Sequence, residues 1–149
     1  MKILLALDGS IFSEVATDKL IAQTKVEGVE VRLLHVIDPF PKRLGETLGS
    51  KEYPDFGAAR LKERERAKEF MAPAARKLEG AGFKVSSSMQ EGDARSIILQ
   101  EAETWDADLI VLGSHGRTGL DRFLMGSVSE AVARHARCSV EIVRTGSGV

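Results

Sequence analysis

The sequence predicts an α/β domain in which a doubly wound, five-stranded parallel sheet carries helices on both faces. Short apolar runs recur along the chain, and two of them are nearly continuous, which is typical of strands buried on both faces. Stretches with helical spacing of apolar residues separate these runs, and this alternation indicates right-handed β-α-β crossovers. The length of 149 residues fits one domain spanning residues 1–149.

Five stretches are predicted to be strands. Four of them are the short apolar runs Ile3–Leu7, Val29–Ile37, Leu109–Leu112 and Val140–Val143. The fifth, Phe83–Met89, alternates more and contains consecutive serines, which fits a strand at the edge of the sheet. Ligands of such sheets bind beyond the carboxyl ends of the strands, so the residues that follow each strand are the candidate site.

Four helices are predicted between the strands, and three of them have a recognisable start. Ser10 is a candidate N-cap of the first helix, the third helix begins near Asp93, and the fourth begins at Gly126 and Ser127. The apolar face of the first helix consists of Phe12, Val15, Ala16 and Leu20. These four residues recur with helical spacing, which predicts that one side of the helix packs on the sheet.

The second predicted helix contains a conflict. It spans Leu61 to Leu78, and Pro73 lies inside it. An interior proline removes a backbone hydrogen bond and clashes with the preceding turn. We therefore expect either a kink near Glu69 or two helices in place of one.

Composition and charge exclude several classes of protein. Lys and Arg total 21 and Asp and Glu total 22, for a net charge of -1, so a broad basic surface for nucleic acid is not expected. No apolar run approaches the roughly 20 residues of a membrane-spanning helix. The single cysteine, Cys138, excludes an intrachain disulfide and fits a reducing compartment. We therefore expect a cytoplasmic protein that binds neither nucleic acid nor a membrane.

Two segments lack a helical or strand pattern. Residues 38–57 contain three of the four prolines and are expected to form one long loop. Such a loop is either a lid or binding loop, or a tolerated surface insertion. Residues 145–149 are expected to be a flexible tail.

The most informative motif follows the third apolar run. It has the pattern G-x-x-G, nine residues, G-S, and is formed by Gly113, Gly116, Gly126 and Ser127. Glycines let backbone N–H groups approach an anion, and a helix that starts at Gly126 offers further unpaired N–H groups and a positive partial charge. The hydroxyls of Ser127 and Ser129 would add donors to a polyphosphate cradle. The alternative is an ordinary strand-to-helix connection, since glycine and serine are also common turn residues.

These residues resemble the nucleotide-binding signature of the universal stress protein family. Further segments match the same family in order along the chain, namely 3–10, 34–36, 92–93 and 107–120. The resemblance covers nearly the whole chain and implies a Rossmann-like sheet of the adenine nucleotide α-hydrolase type, with strand order 3-2-1-4-5. It also implies an ATP-binding stress-response protein that acts as a dimeric module or switch. The implied ligand is ATP, or else ADP or AMP, together with Mg²⁺.

The resemblance assigns roles residue by residue. Asp8 matches an acidic residue that lines the nucleotide site near the ribose or a metal; the alternative is that Asp8 caps the next helix together with Ser10. Val36 matches the position whose backbone pairs with the adenine ring. The implied nucleotide-binding residues are Ala6, Leu7, Asp8, Val36, Gly113, Ser114, His115, Gly116, Arg117, Gly126, Ser127, Val128 and Ser129. Asp8 is also the implied metal ligand.

The resemblance further implies a homodimer. In relatives the last strand pairs with its symmetry mate, and the matching residues here are Val140 to Val143. Exposed edge strands invite such pairing, and charges such as that of Glu141 oppose it.

Enzymatic chemistry has less support from the residues. The P-loop pattern G-x-x-x-x-G-K-[S/T] is absent. Arg117 and Arg122 lie in the nine-residue spacer and would face either phosphate oxygens or solvent. Slow ATP hydrolysis needs a general base, for which Asp8 and His115 are the nearby candidates. We expect at most weak ATPase activity, and a scaffold of the same fold that binds no nucleotide is the third alternative.

Overall fold

The architecture is a parallel sheet with helices packed on its two faces. The computed structural model describes residues 1–39, 56–115 and 125–145. Its strands are β1 (Lys2–Ala6), β2 (Glu30–Ile37), β3 (Lys84–Glu91), β4 (Leu109–Gly113) and β5 (Ser139–Val143). The helices in these residues are α1 (Ile11–Gln23), α2 (Phe56–Gly80), α3 (Ala94–Thr104) and α4 (Ser127–His135). All neighbouring strands are parallel, and the spatial order is β3-β2-β1-β4-β5, which confirms the predicted fold class and strand order.

Alternation along the strands divides the core between the two faces of the sheet. Leu5 of β1 pairs in register with Leu33 of β2, and both pack with residues of α1 and α2. Leu4 and Leu34 point to the opposite face and pack with residues of α3 and α4. All four side chains are buried. Both faces of β1 are therefore apolar, which is why its sequence is a continuous apolar run.

Three helices start where the sequence predicted, and side chains cap the first two of them. The Ser10 hydroxyl caps α1 by accepting a hydrogen bond from the Ser13 N–H at 3.3 Å. Asp93 caps α3 by accepting from the Ser96 N–H at 3.1 Å, and this hydrogen bond lowers the pKa of the Asp93 carboxyl. α4 begins after Gly126, which has no side chain with which to cap it.

Helix α2 runs through Pro73 as one helix, so the expectation of two helices is wrong. Pro73 lies on the exposed side of α2, where water can reach the carbonyl that loses its hydrogen bond. Ala67 and Met71 before the proline and Leu78 after it are buried in the same core cluster. Both halves of α2 therefore pack on the sheet. This packing stabilises the helix by more than the proline destabilises it.

The remaining predictions on the fold have mixed outcomes. β3 is an edge strand, as its alternating pattern predicted. Cys138, the single cysteine, is half-buried, and its burial raises the pKa of its thiol. Most of the 38–57 loop and most of the 145–149 tail lie outside the described residues. Within the residues that are described, no helix combines the length and the hydropathy needed to cross a membrane.

Candidate functional site

The candidate site lies where the order of the strands reverses. From β1 the chain continues to β2 and β3 on one side, and then crosses to β4 and β5 on the other. α1, which follows β1, packs on one face of the sheet, and α4, which follows β4, packs on the other. In sheets of this kind a crevice opens between the two strand ends. Ligands of open parallel sheets bind at this point.

The end of β1 forms one wall of the crevice. The Leu7 N–H donates to the Leu34 carbonyl at 2.8 Å, which continues the pairing with β2 beyond the last residue of β1. Asp8 is half-buried, and its Oδ1 accepts the Ser10 N–H at 2.9 Å. This hydrogen bond supports the turn before α1, whose N-cap is Ser10 and not Asp8. The role of Asp8 as a nucleotide or metal ligand stays a prediction.

The end of β4 forms the opposite wall, and it packs tightly against α1. A Cβ on Gly113 would lie 2.6 Å from the Phe12 Cβ and 2.9 Å from the Phe12 backbone carbon. Real side chains do not approach that closely, so only glycine fits between the strand end and the first turn of α1. Gly113 therefore has a packing role, whatever else binds near it.

Ser114 and Ser129 join the end of β4 to α4. Ser114 is buried, and its N–H donates to the Val143 carbonyl at 2.8 Å. The buried Ser129 hydroxyl donates to the carbonyls of Gly113 at 2.9 Å and Ser114 at 3.0 Å. The hydroxyl hydrogen of Ser129 is thus engaged with the backbone. Ser129 can therefore donate to a bound anion through its backbone N–H rather than through its hydroxyl.

The start of α4 faces the same crevice. The Gly126 N–H donates to the Ser114 carbonyl at 2.7 Å, and a Cβ on Gly126 would lie 3.0 Å from that carbonyl oxygen. The first amide groups of an α-helix have no partner inside the helix. In the part of the chain that the structure describes, no side-chain hydrogen bond caps α4. The amides of Ser127, Val128 and Ser129 are consequently the donors that this helix start can present to an anion.

His115 extends the wall that β4 begins. Its Nδ1 lies 3.0 Å from the Ser114 hydroxyl oxygen, and its ring stacks at a tilt on Phe12 with 5.1 Å between centroids. Gly116, Arg117 and Arg122, which the sequence analysis singled out, lie outside the described residues. In the described ranges no group of three or more His, Cys, Asp or Glu residues could hold a metal ion.

The predicted site residues that the structure describes lie at one edge of the sheet. Those at the end of β1 are Ala6, Leu7 and Asp8, and those at the end of β4 are Gly113, Ser114 and His115. Val36 lies near the end of the neighbouring strand β2, and residues 126–129 start α4.

Three residues beside this edge were not proposed from the sequence. They are His35 of β2 and Glu63 and Arg66 of α2. His35 is buried, and Arg66 Nη2 donates to the Asp8 carbonyl at 3.2 Å. A signal for His35 was present, because it shares a strand face with the apolar Leu33 and Ile37 and its burial follows from that alternation.

The fold and the crevice define an open, doubly wound α/β protein whose ligand site lies between the ends of β1 and β4. The model of the Universal stress protein family matches residues 1–144. The chain therefore belongs to the universal stress protein family.

Curated relatives and a solved structure agree with this assignment. Universal stress protein MJ0531 of Methanocaldococcus jannaschii is 36% identical over 143 residues, covering 96% of this chain and 81% of that protein. Universal stress protein MJ0577 of the same organism is 34% identical over 152 residues, covering 96% of this chain and 94% of that protein. The solved structure of MJ0577 has a TM-score of 0.85 at 33% identity and covers 99% of this chain and 97% of its own.

Two more distant structures of the same fold contain adenine nucleotides. A universal stress protein family protein from Arabidopsis thaliana with AMP bound has a TM-score of 0.67 at 18% identity, covering 99% of this chain and 93% of its own. A universal stress protein in complex with cAMP has a TM-score of 0.63 at 21% identity, and both chains are 98% covered. At these identities the two structures establish likeness of fold.

Proposed function

We propose that this protein binds an adenine nucleotide, ATP or else ADP or AMP, in the crevice between the ends of β1 and β4. The start of α4 carries the proposal. Among the described residues no side-chain hydrogen bond caps it, and the Gly126 backbone lies against the Ser114 carbonyl just after β4. An anion is the natural partner of such a helix start, and the ligands of open parallel sheets bind at this edge of the sheet.

The residues divide between the two ends of the nucleotide. Ala6, Leu7, Asp8 and Val36 would hold the adenosine, with the backbone of Val36 paired to the base. The phosphates would contact the backbone of Gly113, Ser114, His115 and Gly116, the side chain of Arg117, and the segment Gly126, Ser127, Val128 and Ser129. The AMP and cAMP complexes of two proteins with this fold support an adenine nucleotide as the ligand class.

Mg²⁺ fits this arrangement as a companion of the phosphates. Asp8 is a half-buried carboxylate at the mouth of the crevice. Mg²⁺ keeps several waters and is bound in such sites by one or two carboxylates together with phosphate oxygens. Asp8 would hold the ion, which would neutralise charge on the phosphates. A cytoplasmic location belongs to the same proposal and rests on the single cysteine.

Titration calorimetry with MgATP and MgADP tests the proposal. We expect a dissociation constant in the micromolar range for at least one of them. Replacing Ser127 by proline removes one amide donor at the first helical position, where proline is well tolerated. A charge-assisted hydrogen bond contributes about 1.5–3 kcal/mol, so Ser127→Pro is expected to weaken binding by about 10- to 100-fold.

The matched control is Ser127→Ala, which keeps the amide and removes only the exposed hydroxyl. We expect its affinity to stay much closer to that of the unmodified protein. No heat at millimolar MgATP, MgADP, AMP or cAMP would count against the nucleotide-binding function. Equal affinities of the two Ser127 variants would show that the start of α4 does not contact the nucleotide.

We also propose that the protein forms a homodimer through β5. This strand is at the edge of the sheet and pairs with β4 on its inner side. Val140 and Ile142 are half-buried apolar residues on the face shared with α3 and α4, and Glu141 points to the other face. An edge strand with apolar side chains can add the same strand of a second copy.

Sedimentation equilibrium tests the dimer. We expect the unmodified protein to sediment as a dimer at micromolar concentration. Ile142→Lys places a charge on the pairing edge and is expected to raise the dimer dissociation constant by about tenfold or more, since interface positions of this kind contribute over about 1 kcal/mol. Ile11→Lys is the control, because Ile11 is 63% exposed at the start of α1. A monomeric unmodified protein, or equal effects of the two variants, would contradict the β5 interface.

A further inference from the structure

The β1–α1 turn, residues 8–10, carries Asp8, the carboxylate proposed above to hold Mg²⁺. Both ends of this turn are anchored in the fold. On one side the Leu7 N–H donates to a carbonyl of β2 at 2.8 Å, and on the other side Ser10 caps α1. The peptide group that joins Asp8 to Gly9 lies between these two anchors.

The backbone at Gly9 allows this peptide group more than one orientation. Gly9 has a φ of +81°, in the left-handed region that side chains disfavour. Glycine adopts positive and negative φ about equally easily, because it has no Cβ. Steric hindrance alone therefore does not fix the orientation of the Asp8–Gly9 peptide, and a contact from elsewhere in the fold has to select it.

Arg66 of α2 makes such a contact. Its Nη2 donates to the Asp8 carbonyl at 3.2 Å, and its guanidinium lies over the ring of Phe70, with 5.6 Å between Cζ and the ring centroid. A Cβ on Gly9 would lie 2.8 Å from Phe70 Cδ1 and 3.1 Å from Arg66 Nη2. This part of α2 thus packs directly against the β1–α1 turn.

The guanidinium keeps this contact although another of its donors is left unsatisfied. Arg66 Nε lies 3.5 Å from Glu63 Oε2 in an ion pair, but it is buried and makes no hydrogen bond within the described part of the chain. A buried donor without a hydrogen bond costs free energy. The side chain is therefore held by the Asp8 carbonyl and the Phe70 ring, and not by the best geometry toward Glu63.

The carboxylate of Asp8 is coupled to the same peptide group. Its Oδ1 accepts the Ser10 N–H at 2.9 Å, so this hydrogen bond closes across the Asp8–Gly9 peptide. Rotation of the peptide would move the Ser10 N–H away from Oδ1 and release the carboxylate. A contact that fixes the Asp8 carbonyl consequently also fixes the Asp8 side chain.

We propose that Arg66 is a positioning residue of the candidate nucleotide site, an inference that rests on the proposed nucleotide-binding function. Its hydrogen bond to the Asp8 carbonyl selects the orientation of the Asp8–Gly9 peptide in which the carboxylate is held for the Mg²⁺ that accompanies the phosphates. Arg66 acts through Asp8 and needs no contact with the nucleotide. Helix α2 thereby contributes to the site through a residue distant from it in the chain.

Amide hydrogen exchange of the full chain tests the contact without any ligand, with the protection factor of the Ser10 amide as the readout. Arg66→Met removes the donor and keeps an apolar stem that can cover Phe70. We expect Ser10 protection to fall by about tenfold or more, because a hydrogen bond from a charged group shifts a local equilibrium by about 10- to 100-fold. The amides of β2 report whether the domain stays folded, and we expect them to remain protected.

Arg64→Met is the matched control. The side chains of Arg64 and Arg66 are 43% and 41% exposed, and both lie on α2 in ion pairs with a glutamate. The partner of Arg64 is Glu91 at the end of β3, at 3.4 Å, so this variant removes the same charge without touching the β1–α1 turn. We expect it to keep the Ser10 protection of the unmodified protein. Equal Ser10 protection in the two arginine variants would overturn the inference.

The Mg²⁺ dependence of ADP affinity tests the consequence for the site. Calorimetry in Mg²⁺ and in EDTA gives the factor by which Mg²⁺ strengthens ADP binding. We expect this factor to be several-fold smaller in Arg66→Met than in Arg64→Met. A general loosening of the fold would weaken binding in both solutions and leave the factor unchanged. An equal factor in the two variants, or ADP binding without any Mg²⁺ effect in the unmodified protein, would also overturn the inference.

A double-mutant cycle with Asp8→Asn shows whether Arg66 acts through Asp8. Asparagine keeps an oxygen that can accept the Ser10 N–H and removes the charge that Mg²⁺ prefers. We expect Asp8→Asn to lose the Mg²⁺ effect on ADP affinity, and Arg66→Met to cause no further loss in that background. A further loss there would show that Arg66 acts by another route and would contradict the positioning role.

The two readouts separate failure of this inference from failure of the nucleotide proposal. If ADP binds and Ser10 protection is the same in both arginine variants, the nucleotide proposal stands and the role of Arg66 is wrong. If no ADP or ATP binds to the unmodified protein, while Ser10 protection falls in Arg66→Met alone, the nucleotide proposal fails. The contact of Arg66 with the β1–α1 turn then stands, and its role in placing Mg²⁺ is overturned.

Discussion

Replacing Leu33 by alanine is expected to destabilise the protein by about 2–5 kcal/mol, the range for Leu-to-Ala changes in packed cores. Leu33 is fully buried on β2. β1 and β3 flank it in the sheet, and α1 and α2 cover it. Because neighbours on all sides are held by strand pairing, the cavity cannot collapse easily. Domains of this kind are stable by only about 5–15 kcal/mol, so the expected loss is a large fraction of the total.

Leu61→Ala is the matched control for this prediction. Leu61 is 65% exposed on α2, and the same chemical change there removes little buried area. We expect a change within about 0.5 kcal/mol. Urea denaturation followed by circular dichroism measures both variants. A similar loss of stability at the two positions would show that burial of Leu33 does not determine the effect.

The second large effect is expected for Gly113→Ala. The added methyl group would lie 2.6 Å from the Phe12 Cβ and 2.9 Å from the Phe12 backbone carbon. Since one of these atoms belongs to the backbone, the clash cannot be relieved by rotating a side chain. The first turn of α1 must separate from the end of β4, at a cost of about 1–3 kcal/mol or more.

Gly80→Ala provides the comparison at a glycine without close neighbours. Gly80 is the last residue of α2, and no heavy atom lies within 4 Å of the position of an added Cβ. Alanine is favoured over glycine in helices by up to about 1 kcal/mol, so this variant is expected to be as stable as the unmodified protein or slightly more so. Unfolding of Gly113→Ala at the same urea concentration as Gly80→Ala would contradict the tight packing of the end of β4 against α1.

The local pattern predicted the elements well where burial and capping determine them. The continuous apolar runs became the buried strands β1 and β4, and the alternating segment with serines became the edge strand β3. Ser10 and Asp93 were identified as helix starts because short polar side chains satisfy the first amides of a helix. These features depend on residues close in sequence, which is why they can be predicted without the tertiary fold.

The pattern failed where distant residues decide the outcome. Pro73 predicted either a kink near Glu69 or two helices, and two helices are not observed because packing on the sheet stabilises both halves of α2. Ser129 was expected to offer its hydroxyl to a ligand, and that hydroxyl donates instead to carbonyls at the end of β4. His35 was not proposed from the sequence, because its partners, the Leu7 carbonyl just after β1 and Glu63 of α2, are distant in the chain.

The amino-acid sequence by itself determined the α/β class, the number of strands, and the family motif that marks the carboxyl edge of the sheet. Periodicity and motif spacing carry that information, since they reflect how each residue meets its near neighbours and the core. Only the tertiary structure decided that Phe12 packs against Gly113 too closely for any side chain at position 113. It also decided that a carbonyl and a carboxylate face the two nitrogens of His35. Those contacts join residues far apart in the chain, and no local pattern encodes which groups the folded sheet will bring within hydrogen-bonding distance.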